Sequence, residues 1–192
     1  MRKFRDLAAL ILVASFILTA CGAPSTDSTQ GGYVSGEGQI TVVPPDEREP
    51  APAINGETVD GKDVNIDDWR GDIVVINLWG SWCPPCREES PALDAVAQET
   101  ADDGVHFLGL STRESPETTL AFIEKHDVSY PSLFDEGGRI QVAFADSLAS
   151  QAIPTTWIID ADGNVAARAM TTLTESTLTD LIDDVRTENA DG

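Results

Sequence analysis

The sequence predicts an α/β domain built on a central mixed β-sheet flanked by helices, and three observations point there. Short apolar runs alternate with helical periodicities from about Ala51 to Val185, in the order β-α-β-α-β-β-α. The run Ile73 to Trp79 is apolar at every position but Asn77, as in a strand covered on both faces. Asp-Gly steps at Asp60-Gly61 and Asp162-Gly163 supply turns for hairpins around Val59–Val64 and between 155–160 and 164–170.

The remaining elements follow from local signals. Pro84 to about Ala101 reads as a helix with Leu93, Val96 and Ala97 on one face. Val105 to Leu110 is a second buried strand. Ser115-Pro116 provides a cap and a first-turn proline for a helix ending near His126. The last helix opens at Thr172-Leu173-Thr174-Glu175, which has capping-box spacing, and buries Leu178, Leu181, Ile182 and Val185.

Ahead of this domain, Arg2, Lys3 and Arg5 precede an apolar stretch from Leu7 to Thr19, the layout of a secretory leader over residues 1–20. A spanning helix needs about 20 apolar residues, more than this stretch offers. Leu18-Thr19-Ala20-Cys21 resembles the lipobox of bacterial lipoproteins. That resemblance implies cleavage before Cys21 and a diacylglyceryl group on its sulfur. Residues 21–50, rich in Gly, Ser, Thr and Pro, read as a lipid-anchored flexible linker, and 51–188 as the domain. At roughly 30 Å r.m.s., such a linker would let the domain sweep the zone near the membrane.

The formal net charge of −21 argues against a nucleic-acid partner, which would demand a basic footprint. It also opposes adhesion to anionic lipid through the protein surface, so membrane attachment would fall to acyl chains on Cys21.

Cys83-Pro84-Pro85-Cys86 is the decisive chemical feature. It follows a buried strand and opens a helix, where the partial positive charge of the N-terminus favours a thiolate over a thiol. Cys83 is expected at the N-cap and Cys86 one turn on, placed to resolve a mixed disulfide. Because Pro85 has no N–H, Cys86 must donate to the capping sulfur, which predicts a modest lowering of the Cys83 pKa. A structural disulfide is the alternative, although so short a loop stabilises little. A metal site would have only His106 and His126 to add as further His or Cys ligands in the domain. Asp160-Ala161-Asp162-Gly163-Asn164 lacks the sixth-position glycine of a calcium loop and reads as a turn.

The segment Trp79-Gly80-Ser81-Trp82-Cys83-Pro84-Pro85-Cys86-Arg87-Glu88-Glu89-Ser90-Pro91 resembles the active-site segment of TlpA/ResA-like proteins of the thioredoxin family, over roughly residues 51–188. The resemblance implies a thioredoxin-like fold with an N-terminal β-hairpin extension and thiol–disulfide oxidoreductase activity, with no bound cofactor. It makes Ile153-Pro154-Thr155 the cis-proline loop that aligns a client, with Ile153 and Trp82 beside it, and makes Pro91 a helix-kinking proline. Glu89, three residues after Cys86 and on its helix face, matches a glutamate of this family. It is either a proton acceptor for the Cys86 thiol or a solvated first-turn acid. Asn77 stands where cytoplasmic thioredoxins carry a buried acid. The implied partners are disulfide-bearing proteins, those of cytochrome c maturation among them, and a membrane dithiol donor of DsbD/CcdA type, the enzyme acting as a monomer outside the membrane. A disulfide-forming oxidase, or a non-catalytic lipoprotein module with an inert bridge, remains the competing reading.

Overall fold

The computed structural model describes residues 40–190, so the leader, Cys21 and the linker up to residue 39 lie outside the described part. Six strands form the main sheet: β1 (Ile40–Val42), β4 (Ile73–Trp79), β5 (Val105–Ser111), β6 (Ser132–Phe134), β7 (Thr155–Ile159) and β8 (Val165–Ala169). Their order is β1-β8-β7-β4-β5-β6. Strands β4, β5 and β6 run parallel, while β7, β8 and β1 pair antiparallel, so the sheet is mixed.

Side chains alternate along β4 and divide the core in two. Ile73 and Val75 face Leu93, Val96 and Ala97 of α1 (Pro84–Glu99) and Leu178, Leu181 and Ile182 of α4 (Glu175–Ala190). Val74, Ile76 and Leu78 face the other way, against Leu108, Leu110, Phe144, Trp157 and Ile54. Cover on both faces is why the sequence of this strand shows no polar alternation. By the same parity, Asn77 projects toward α1.

Four expectations need correction. Residues 40–50 are not linker. Ile40 and Val42 pack against the core, β1 extends the sheet edge, and Arg48 is buried, its guanidinium paired with Asp160 at 3.1 Å and with Glu188. The first hairpin is wider than Val59–Val64: the Asp60-Gly61 turn and the second leg, β3 (Asp63–Asn65), fall where expected, but the first leg is β2 (Asn55–Glu57) and not the stretch at Val59. The turn closes from Gly61 N–H to the Thr58 carbonyl, and Val59 N–H is drawn away to the Ser132 carbonyl. The cap of α4 is Thr174, whose hydroxyl accepts from Thr177 N–H at 3.2 Å, and the pair Thr172/Glu175 makes no capping box. Leu173 is pulled into the core instead, and the helix begins only after Thr174. Finally, between β5 and β7 the chain adds β6 and a short helix α3 (Arg139–Ala143), in a stretch whose local periodicity is weak. Helix α2 (Pro116–His126) begins and ends where Ser115-Pro116 and His126 predict, with Asp127 left-handed at its C-terminus.

Arg48→Met should lower stability by about 3–5 kcal/mol, because Asp160 would be left buried without its cation. Urea unfolding measures this, and a loss under ~0.5 kcal/mol would return residues 40–50 to a dispensable arm.

Candidate active site

Strand β4 ends at Trp79, the chain turns through Gly80-Ser81-Trp82, and α1 starts at Pro84. Cys83 is the N-cap residue, with extended backbone, and its Sγ accepts from Cys86 N–H at 3.2 Å. Pro84 fills the first helical position, where a missing N–H costs nothing. The two sulfurs form a disulfide. Both cysteines are nearly sealed from solvent by Trp79 and Phe122, whose rings tilt together at 5.0 Å, while Ile153 packs against the same cluster. The Ile153–Pro154 peptide is cis and enters β7. Trp82 stands out on the rim, 44 % exposed, its indole N–H donating to the Thr112 carbonyl at 3.1 Å.

Glu89 lies one turn beyond Cys86 and is 1 % exposed, which disposes of the solvated-acid alternative. Its carboxyl accepts from Asn77 Nδ2 at 2.9 Å and from Leu173 N–H at 3.2 Å. The Asn77 amide donates also to Thr156 Oγ1 at 3.1 Å, across the β4–β7 register. Burial pushes the Glu89 pKa up to about 7, outweighing the two hydrogen bonds that stabilise its anion. A carboxyl of that strength changes protonation near neutral pH, as proton exchange with a neighbouring thiol requires. Burial, and then the charges of Glu89 and Asp94, raise the Tyr130 hydroxyl above its usual range.

The fold thus gathers Cys83, Cys86 and Ile153 around one apolar centre, with Pro154 next to Ile153 in the chain, Glu89 one turn further along α1 and Trp82 on the rim. Sequence reasoning missed two contributors. The first is the Leu173 backbone N–H, which no sequence pattern exposes. The second is Glu114, whose carboxylate accepts from Ser81 N–H at 3.1 Å, from the Ser81 hydroxyl, and from Thr119 Oγ1 at 3.1 Å, fixing the loop before Cys83. Its one signal was position, an acid just past the carboxyl end of a parallel strand. Neither histidine meets the site's sulfurs: His106 stacks on Trp69 and bonds Asp72, and His126 leans on Phe122.

Residues 48–168 match the AhpC/TSA family. The chain is similar to the thiol-disulfide oxidoreductase ResA of Bacillus subtilis, 28% identical over 74% of this chain and 77% of that protein. It is similar also to the thioredoxin-like protein YneN of the same organism, 30% identical over 71% of this chain and 79% of that protein. Among solved structures, a DsbF homologue from Corynebacterium diphtheriae superposes with a TM-score of 0.71 at 28% identity, covering 81% of this chain and 99% of the other. A secreted thiol-disulfide isomerase from Corynebacterium glutamicum gives 0.70 at 26% identity, covering 80% and 99%.

Because the folded-state value of Glu89 lies above the usual 4.5, folding favours its protonated form. That stabilisation is complete below about pH 4.5 and is lost as pH rises through about 7. In the oxidised protein, wild-type stability relative to Glu89→Gln should therefore fall by on the order of 3 kcal/mol from acid to alkaline pH. Parallel stability profiles of the two proteins in urea would contradict the burial of an ionisable group here.

Proposed function

The chain belongs to the AhpC/TSA family and is a thioredoxin-like thiol–disulfide oxidoreductase of ResA type, and on that premise we propose that it reduces disulfides of client proteins outside the cytoplasmic membrane. Cys83 attacks the client disulfide as a thiolate, the client's second sulfur leaves, and a mixed disulfide forms. Cys86 then attacks Cys83, expelling the client as a thiol and closing the Cys83–Cys86 bridge. Glu89 takes the Cys86 proton. Pro154, Ile153 and Trp82 align the client strand. A membrane dithiol of the DsbD/CcdA type returns two electrons, and the clients include apocytochrome c.

The observation that carries this reading is the Cys83 sulfur at a helix N-cap, accepting the Cys86 N–H, with a carboxyl of pKa about 7 on the buried face behind it. An inert bridge has no need of either. The basic-then-apolar start of the sequence and the Leu18-Thr19-Ala20-Cys21 motif support export and anchoring through Cys21. No helix among the described residues is long and apolar enough to cross a membrane. Similarity to a secreted thiol-disulfide isomerase supports a second reading, in which the same pair reshuffles client disulfides.

The reduction potential of the Cys83–Cys86 couple decides between them. A reductant should equilibrate near about −270 mV, an isomerase near about −180 mV and a disulfide-forming oxidant near about −120 mV. A bridge that stays closed in excess dithiothreitol would refute catalysis altogether. For the anchor, Cys21→Ser should move the protein from the membrane fraction to the soluble extracytoplasmic fraction, and unchanged fractionation would remove the acyl chain from the account.

A further inference from the structure

Arg113 is held in the left-handed region, φ 60°, where glycine sits freely and a side chain is strained. Its neighbours impose that conformation. Thr112 N–H donates to the Trp79 carbonyl at 3.0 Å, and the Thr112 carbonyl accepts from Trp82. On the other side Glu114 is fastened to Ser81. The backbone is therefore fixed at both ends, and the Arg113 side chain is carried over the Trp82 ring, its guanidinium carbon 5.9 Å from the centroid.

Arg113 is exposed, and among the described residues it makes no hydrogen bond or ion pair, in a chain where 33 acids face 12 lysines and arginines. It lines a cleft of roughly 660 Å³ together with Phe134, Gln141 and Val142. The exposed large hydrophobics among the described residues are Trp82 and Val142, 44 % and 69 %; Val142 lines the cleft, and Trp82 touches two of its lining residues, bonding the Thr112 carbonyl and lying under Arg113. The cleft thus combines apolar contact and a cation on a pinned backbone, and that cation lies over Trp82, the residue preceding Cys83. The one acid in its lining, Glu114, already has its oxygens on Ser81 and Thr119.

We infer that Arg113 is a specificity residue for the client: the cleft takes an extended segment of the oxidised polypeptide that carries a carboxylate within a few residues of its reacting cysteine. A guanidinium binds a carboxylate in paired, charge-assisted hydrogen bonds. The acidic body of the protein does not cancel this attraction, because at physiological salt charges beyond about 8 Å are largely screened. The inference rests on the thiol–disulfide reading above and names the chemistry of the substrate for it.

The test uses the full-length protein, reduced and freed of reductant. It is mixed with disulfide-linked peptide dimers identical except for Glu, Gln or Lys two residues from the cysteine, and with hydroxyethyl disulfide as a small neutral probe. Rates of oxidation are normalised to that probe. Wild type should favour the Glu over the Lys peptide about 10-fold at physiological ionic strength, where the acidic body is screened, the scale of ~1.4 kcal/mol. Arg113→Gln should bring the ratio to within 2-fold of unity, and Arg113→Lys should retain part of the preference. An Arg113→Gln protein that keeps the wild-type ratio overturns the inference, even if every rate falls together, since a merely structural role would produce that pattern. A wild type without preference overturns it as well. Failure of the reduced protein to react with any disulfide, hydroxyethyl disulfide included, would instead sink the underlying reading.

Discussion

The first turn of α1 has N–H groups with no carbonyl to receive them, and two prolines remove most of that supply. What is left near Cys83 is the N–H of Cys86, and the sulfur takes it. This contact places the Cys83 sulfur at the positive end of the helix, where the bridge joins it to Cys86. It depends on β4 ending at Trp79 and on the Gly80-Ser81-Trp82 turn, which Glu114 and Arg87 hold from either side through Ser81.

Behind the sulfurs, the pleat of β4 decides the electrostatics. Asn77 shares parity with Ile73 and Val75, so its amide meets Glu89 on the α1 side of the sheet. An amide donor there stabilises the carboxylate, and the Leu173 N–H adds a second donor. Burial still wins, and the acid rests near neutrality. With hydrophobic cover alone the group would stay protonated through the physiological range, and with solvent it would stay ionised. The balance between desolvation and two hydrogen bonds sets the pH at which it changes protonation.

How much was legible follows from which forces act locally. The N-cap position of Cys83 and the bounds of α2 came directly from sequence, because capping and proline rules involve neighbours within four residues. The first leg of the hairpin was misplaced, since Thr58 and Val59 answer to β6, far along the chain. The cap of α4 failed for a similar reason, with Leu173 drawn into the core beside Glu89. The edge strand β1 was invisible in a Gly- and Pro-rich stretch, where the short run Ile40-Thr41-Val42-Val43 marks it.

By itself the sequence determined the sulfur pair, the helix that opens on it and the strand that delivers it, because those depend on local backbone chemistry and on apolar periodicity. It could not determine whether Glu89 is wet or dry, nor that Arg113 leans over Trp82. Those depend on groups separated by many residues converging on one point. Solvent exclusion and the pinning of both ends of a loop are properties of the packed whole, and only the tertiary structure supplies them.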